Sequence, residues 1–222
     1  MESVSNICEL IRKGNLTDFL KVEEQNIIEN AYHYLKLCAY YGSPKIASSI
    51  YSKLPDTNAI NNNYLLRLSV AVNKPHMIKF FVDKGASVTD IDNHALKIAC
   101  CNGYYDAAKI LISFGANVKA DNNYCLQVAA SNGFNEIIKL LIRHGARVDD
   151  NDNHALWWAQ SNKHMDTVEL LKKFGANKNM EKFTFEKYVL RIDANETSFW
   201  LSRELYNEKD NLLDTDKISY DD

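Results

Sequence analysis

The chain has 222 residues, of which 46% are hydrophobic and 25% charged, and its formal net charge is −3. These values are ordinary for a globular protein with a buried core, and they exclude collagen-like, disordered and disulfide-knot classes. The small net charge disfavours duplex nucleic acid as a partner, and no apolar run approaches the roughly 18 residues that a membrane-spanning helix needs.

The beginning of the chain and its cysteines indicate the compartment. The first residues contain an acid and no long apolar segment, so we expect no secretory signal. The five cysteines form no CxxC pair. We therefore expect free thiols in a cytoplasmic protein, because the cytosol keeps thiols reduced.

A period of 30 residues runs through the middle of the chain. It is kept independently by an asparagine, a leucine, a second apolar residue and a Gly-Ala pair. The positions are Asn63, Asn93, Asn123 and Asn153; Leu66, Leu96, Leu126 and Leu156; Phe81, Leu111, Leu141 and Leu171; and the pairs that begin at Gly85, Gly115, Gly145 and Gly175. This agreement predicts a series of similar structural units.

Each unit is predicted to contain two helices. In the unit that begins at Asn123, this residue is expected to be a side-chain N-cap of the first helix, YCLQVAASN, and Gly133 to end that helix in a left-handed conformation. The second helix, NEIIKLLIRH, buries its isoleucines and leucines. Asn73 can replace the glycine because asparagine tolerates positive φ, whereas Lys163 in the same place predicts an altered turn.

The pattern Leu-x-x-Ala-Ala-x-x-Gly, followed by an apolar helix and Gly-Ala, resembles the ankyrin repeat over roughly residues 7–179. The segments GYYDAAKILISFGANV and GFNEIIKLLIRHGARV carry the resemblance best. Ankyrin repeats have about 33 residues and a Thr-Pro-Leu-His start. Here the units are shorter and begin Asn-Tyr-Cys-Leu or Asn-His-Ala-Leu, so the missing residues must lie in the β-turn finger between Val148 and Leu156. This shortened form is similar to the ankyrin families of giant DNA viruses of amoebae (mimivirus-like).

The resemblance implies an all-α fold, an ankyrin-type solenoid of stacked helix–turn–helix repeats with short β-turn fingers, an incomplete N-terminal cap and a helical C-terminal cap. Residues 1–28 are predicted to form the capping half-repeat. Five repeats then follow, with one inserted residue expected near residues 53–58. Their predicted bounds are 29–59, 60–89, 90–119, 120–149 and 150–180.

The period ends after Asn179. Residues 181–207 are predicted to form a helical cap, and the segment SFWLSRELYNEKDNLL, residues 198–213, is expected to be helical. Residues 208–222 form an acidic tail with a net charge of −4. The cap interpretation leaves the tail as a solvated end. The alternative is an adaptor, in which the C-terminal segment docks to a larger complex such as a ubiquitin ligase.

The family's usual role implies a non-catalytic module that binds another protein through its concave helix face, here a host or viral protein in the host cytoplasm. Candidate contacts precede each turn between paired helices or form a second equivalent row, which is expected to be partly buried. These residues are Tyr40, Tyr41, Arg67, Val72, Lys97, Asn102, Gln127, Asn132, Trp157 and Asn162. Aromatic residues are enriched at binding hot spots, which favours Tyr40 and Tyr41.

Alternatives stay open for several of these residues. Any residue before a turn can simply be a solvent-facing helix end, and Trp157 with Trp158 can belong to the core. His94 and His154 occupy equivalent places and are expected to form local hydrogen bonds at a helix start, since residues two units apart cannot share a metal. Cys100 is expected at a packing position and Cys101 at an exposed one.

No catalytic motif, cofactor motif or metal-ligand spacing is present in the sequence. We therefore expect no cofactor, no metal, no nucleic acid, no membrane and no small-molecule substrate. An enzyme remains the least favoured alternative, because a stack of helices offers a groove instead of a water-excluded pocket.

Overall fold

The structure, a computed structural model, describes residues 4–58 and 60–176. Within these residues the chain forms helices joined by turns and contains no strand, which confirms the all-α fold class. The predicted C-terminal cap and acidic tail lie outside the described residues. The helices are α1 Val4–Lys13, α2 Leu16–Phe19, α3 Glu24–Glu29, α4 Ala31–Tyr41, α5 Pro44–Lys53, α6 Asn62–Ala71, α7 Pro75–Asp83, α8 Asp90–Cys101, α9 Tyr105–Ser113, α10 Ala120–Ser131, α11 Asn135–Arg143, α12 Asp150–Ser161 and α13 Met165–Lys173.

Two compact units divide the chain between Ser87 and Val88. In the first unit, α4 packs against α1, α5 and α6, and α6 packs against its own partner α7. The short helices α2 and α3 pack against α5. The connection between α5 and α6 begins at residue 54, in the region where the inserted residue is predicted.

The second unit consists of three helix pairs, α8/α9, α10/α11 and α12/α13. Helix α10 contacts both α8 and α12, and α11 contacts both α9 and α13. Small side chains face the neighbouring first helices, and Ala99, Ala129 and Ala159 are all fully buried. The first helices of the second unit can pack closely because each of them has alanine at this position.

The turns within the helix pairs repeat one hydrogen bond. The Phe134 backbone N–H donates to the Ala129 carbonyl oxygen at 2.9 Å, and the His164 N–H donates to Ala159 at the same distance. Each bond requires a left-handed residue just before its donor, and Gly133 supplies it at φ +72°. Lys163 adopts φ +63°, so the altered turn predicted there is wrong. The hydrogen bond imposes the left-handed conformation even on a lysine.

The second helices begin with residues that suit a helix N-terminus. Pro44 and Pro75 each occupy the first turn, where the missing N–H of proline breaks no helical hydrogen bond. Asp106, Glu136 and Asp166 lie in the first turns of α9, α11 and α13, where a carboxylate meets the positive end of the helix.

The periodic asparagines do not act as the predicted N-caps. The Asn123 side-chain oxygen accepts from the Arg147 N–H at 3.2 Å, and that of Asn93 accepts from the Asn117 N–H at 2.6 Å. Asn63 accepts in the same way from Ser87, at 2.7 Å. Each asparagine thus ties the start of its first helix to the residue that follows the Gly-Ala pair 24 residues further on.

The backbone at the periodic asparagines is left-handed in the second unit. Ile91, Asp92 and Asn93 are consecutive left-handed residues with φ between +46° and +60°. The same run recurs at the beginning of α10, from φ +51° at Asp121 to +58° at Asn123. Asn63 accepts the equivalent bond without positive φ, so the left-handed run is not required for the bond.

Candidate protein-binding site

Helix α4 carries an aromatic and basic surface in the first unit. Tyr32, Lys36 and Tyr40 follow one another at intervals of four residues, so they share one face of the helix. Tyr32 is 37% exposed, and the other two are half-buried. The Lys36 Nζ lies 5.7 Å from the Tyr32 ring centroid, within range of a cation–π contact. We call these three residues the α4 stripe.

The predicted tyrosine pair lies at the C-terminal end of α4. Tyr40 and Tyr41 are both half-buried and make an edge-to-face contact, with ring centroids 5.0 Å apart and an interplanar angle of 82°. Gly42 ends the helix at φ +83°, and a Cβ atom added there would lie 3.2 Å from the Lys74 side chain. The tyrosine pair therefore lies beside the turn at Gly42, and the Lys74 side chain lies over that turn.

Val72 and Arg67 lie on or next to α6 in the same unit. Val72 follows the last residue of the helix and is half-buried. Arg67 is only 9% exposed. The sequence prediction placed Arg67 in a partly buried row, and its burial leaves little of the side chain for a partner to contact.

Lys97 occupies the equivalent position in α8 and bridges two turns. Its Nζ lies 3.0 Å from the Asp92 carboxylate and 3.3 Å from that of Asp121, and 5.6 Å from the Tyr124 ring centroid. Burial lowers the pKa of Lys97, but the two carboxylates together outweigh burial and raise it. The lysine charge is therefore used to join neighbouring helix pairs within the second unit.

Gln127 and Trp157 continue this row in α10 and α12. The Gln127 side-chain amide donates to the Asn122 carbonyl oxygen at 2.8 Å and so supports the left-handed run. Trp157 is half-buried, and its ring lies 4.9 Å from that of Trp158 in an edge-to-face contact. Trp157 thus combines core packing with an accessible edge. This position is compatible both with a core residue and with a residue that contacts a partner.

The three asparagines at the ends of the first helices are exposed. Asn102 and Asn132 each donate from the side chain to the carbonyl oxygen four residues earlier, at 2.9 Å. Asn162 instead donates to the Ser131 carbonyl and hydroxyl oxygens, at 2.7 and 2.8 Å. These bonds satisfy carbonyl groups at helix ends and leave the outer edge of each amide at the surface.

The remaining polar and thiol positions are structural. His94 and His154 are 3% and 4% exposed, and Cys100 is fully buried while Cys101 is exposed. In the part of the chain that the structure describes, no group of three or more His, Cys, Asp or Glu side chains is placed to hold a metal ion. No helix among the described residues is long and apolar enough to cross a membrane.

Two surface features were missed from the sequence. Tyr32 and Lys36 extend the aromatic surface along α4, and their spacing from Tyr40 was the available signal. Ile91 is a β-branched residue at φ +46° with 48% of its surface exposed, which is a rare combination. Its left-handed conformation has no counterpart in the hydrophobic pattern of the sequence.

Comparison with known proteins identifies the family. The model of ankyrin repeats (3 copies) matches residues 35–122 and 114–182. The chain belongs to the ankyrin-repeat family. The crystal structure of the human ASB11 ankyrin repeat domain has a TM-score of 0.55 with this chain at 21% sequence identity, covering 64% of this chain and 69% of that one. A search of curated protein sequences found no match.

At this level of identity, the ASB11 domain shows the fold alone. Ankyrin repeats are in general non-catalytic scaffolds that bind other proteins, and the helical surfaces described above are of the type that such a scaffold offers.

Proposed function

We propose that this ankyrin-repeat chain is a non-catalytic module that binds one partner protein through the faces and C-terminal ends of its first helices. The adjacent aromatic pair Tyr40–Tyr41 is the observation that carries the proposal. Large, rigid aromatic side chains lose little conformational entropy on binding, and they are enriched at interface hot spots.

The proposed contact residues in the second unit are Asn102, Asn132, Asn162 and the accessible edge of Trp157. The asparagines are exposed and fixed by helix-end hydrogen bonds, so they present ordered amides to a partner. Arg67, Lys97 and Gln127 are assigned a supporting role, because burial or internal hydrogen bonds already occupy them.

The shortened repeat supports a finer proposal about origin. Its resemblance to repeats of giant DNA viruses suggests a viral protein that engages a host or viral protein in the host cytoplasm. The division into five repeats with a capping half-repeat is part of the same proposal, since the period of 30 residues defines its bounds.

The test is a quantitative pull-down from native or host-cell lysate with the wild type and the triple variant Tyr40→Ala/Tyr41→Ala/Trp157→Ala. We expect a specific protein to be lost from the variant. The control is Phe114→Ala/Phe174→Ala, which truncates two aromatics that are 40% and 42% exposed after the second helices α9 and α13. Identical capture by both variants and the wild type would contradict the assigned face.

The adaptor function is the second candidate, supported by the apolar residues Phe199, Trp200, Leu201 and Leu205 beyond the repeats. These residues lie outside the described part of the chain. Deleting residues 182–222 should then remove one binding partner while far-UV circular dichroism keeps its helical signal. Unfolding of the truncated chain would instead identify the segment as a cap.

A further inference from the structure

Two Asn-Gly pairs lie in equivalent turns of the second unit. Asn102–Gly103 follows α8, and Asn132–Gly133 follows α10, 30 residues further on. Both asparagines are exposed, and both glycines are left-handed, at φ +75° and +72°. Because glycine has no side chain to shield it, its backbone nitrogen can approach the side chain of a preceding asparagine closely. Each pair therefore has the covalent structure that favours deamidation.

Deamidation needs only water and proceeds in two steps. The glycine nitrogen attacks Cγ of the asparagine, so that an N–Cγ bond forms and the Cγ–Nδ2 bond breaks. The side-chain nitrogen leaves as ammonia, with the proton that the glycine nitrogen gives up. Water then opens the cyclic imide at either of its carbonyl carbons. The products are aspartate and isoaspartate, in which the main chain runs through the former side chain, and no atom is oxidised or reduced.

Both folded turns oppose this reaction equally at the asparagine. The Asn102 side chain donates to the Ile98 carbonyl oxygen and that of Asn132 to the Val128 carbonyl oxygen, each at 2.9 Å. The two asparagines have ψ of 1° and 0°, which turns the following nitrogen away from the side chain. Each turn must therefore open locally before the ring can close, and the turn that opens more readily reacts faster.

The backbone N–H of the glycine distinguishes the two turns. The Gly133 N–H donates to the Ala130 carbonyl oxygen at 3.3 Å. At the equivalent positions, the N–H groups of Asn73 and Lys163 also donate to the carbonyl three residues earlier, at 2.9 and 3.1 Å. Among the described residues, the Gly103 N–H donates no hydrogen bond. The attacking nitrogen is therefore less firmly held at Gly103 than in the other turns.

A side-chain clamp from the next helix pair holds only the second turn. Asn162 donates to the carbonyl and hydroxyl oxygens of Ser131, the residue before Asn132, at 2.7 and 2.8 Å. Asn132, the equivalent of Asn162, donates within its own helix and so does not hold the turn after Cys101. This clamp therefore makes the turn at Asn132 harder to open.

The ring that lies over each glycine does not separate the two turns. The Phe134 ring is 2.9 Å from the Cβ atom that an alanine would add at Gly103, and the His164 ring is 2.7 Å from that at Gly133. We propose that Asn102–Gly103 is a site of spontaneous deamidation in the folded protein and that Asn132–Gly133 is its protected counterpart.

Deamidation at Asn102 would alter the end of α8. The carboxylate that forms cannot donate to the Ile98 carbonyl oxygen, and it meets the negative end of the helix. Isoaspartate also lengthens the main chain beside the Tyr104 N–H bond to the Ala99 carbonyl oxygen, which closes the turn at 2.9 Å. The reaction itself does not depend on the proposed function. Where a partner contacts Asn102, deamidation removes a neutral amide from that contact.

The test incubates the full-length chain at neutral pH under reducing conditions and follows deamidation by mass spectrometry of tryptic peptides. Trypsin places the two pairs on separate peptides, residues 98–109 and 120–139, and fragment spectra locate the modified asparagine. We expect Asn102 to react about fivefold faster than Asn132 or more, the factor that one ordinary hydrogen bond makes in a rate. In denaturant, where neither turn exists, both sites should react at similar and higher rates.

Variants of the clamp test its role. Asn162→Ala removes both bonds to Ser131 and should raise the rate at Asn132 about fivefold, with the rate at Asn102 unchanged. Asn162→Asp keeps the shape of the side chain without its donors and should have the same effect if the alanine disturbs folding. Asn102→Ser is the control for assignment, because it should abolish the mass change in peptide 98–109 alone.

Three results would overturn the proposal. The first is an equal rate at the two sites in the folded chain, or a faster reaction at Asn132. The second is a rate at Asn132 that neither Asn162 variant changes. The third is an equal rise at Asn102 and Asn132 in both variants, which would show that the bonds to Ser131 stabilise the whole unit instead of one turn.

Discussion

The hydrogen bond of the periodic asparagine can be separated from its left-handed backbone by comparing two repeats. Asn63 and Asn93 accept equivalent bonds, from Ser87 at 2.7 Å and Asn117 at 2.6 Å. Only Asn93 has positive φ, at +60°. Replacement of each by alanine therefore removes the same bond from two different backbone conformations.

The expected magnitudes follow from this difference. Loss of one hydrogen bond costs about 1 kcal/mol of unfolding free energy, which is the value expected for Asn63→Ala. Asn93→Ala loses the bond and also forces an alanine into the left-handed region, which adds about 1 kcal/mol or more. We therefore expect Asn93→Ala to destabilise its unit by about 2–3 kcal/mol.

A third variant, Asn93→Gly, isolates the backbone contribution. Glycine adopts positive φ without strain but gains freedom in the unfolded chain, so the expected loss is about 1.5 kcal/mol. The assay is urea unfolding followed by far-UV circular dichroism. Unfolding midpoints are compared only where the variants have the same dependence of unfolding free energy on urea concentration. Equal losses for Asn63→Ala and Asn93→Ala, or a glycine variant no better than alanine, would refute the reasoning.

Three other predictions concern strain and charge. Lys163→Gly should raise the unfolding free energy by about 1 kcal/mol, because glycine relieves the strain at φ +63°, and a rise in Tm checks it. Ile91→Asn should stabilise by a similar amount, about 1 kcal/mol, in the same thermal assay, because asparagine tolerates the left-handed conformation. Since the pKa of His33 is lowered in the folded chain, its contribution to stability is present above the unfolded pKa of 6.5 and is lost as the pH falls from there through the lower pKa of the folded chain. Lys36→Met should raise the pKa of His33 in an NMR titration and reduce this loss of stability at low pH.

The helix pairs could be predicted from sequence because their signals are local. Each of these signals predicts the conformation of residues close to it in sequence. They are the Gly-Ala pairs, the prolines at second-helix starts and the spacing of apolar residues. The fully buried Leu126 and Leu141 lie where the period places them. The turn at Lys163 could not be predicted from residue type. It is closed by the hydrogen bond from the His164 N–H to the Ala159 carbonyl oxygen, which also forms at the equivalent place in the other helix pairs.

The site residues were predicted less completely, because side-chain burial depends on neighbouring turns. The sequence places Lys97 in a partly buried row but does not reveal its two ion pairs. These join it to Asp92, five residues earlier, and to Asp121, 24 residues later. Asn123 is equally suited to an N-cap and to a left-handed position. Asn63 accepts the equivalent bond without positive φ, so the presence of asparagine alone predicts neither the bond nor the backbone conformation.

The short connections between pairs link these observations. Residues 114–119 alone separate α9 from α10, and the left-handed run then redirects the chain within three residues. Such a run is unfavourable for residues with side chains, so it must be held from outside. The bond from the Arg147 N–H to the Asn123 side-chain oxygen and the bond from the Gln127 side chain to the Asn122 carbonyl oxygen supply this support. Because these polar groups are used to hold the turn, we propose that recognition in the second unit uses the helix faces and their C-terminal ends, where Asn132 and Trp157 lie.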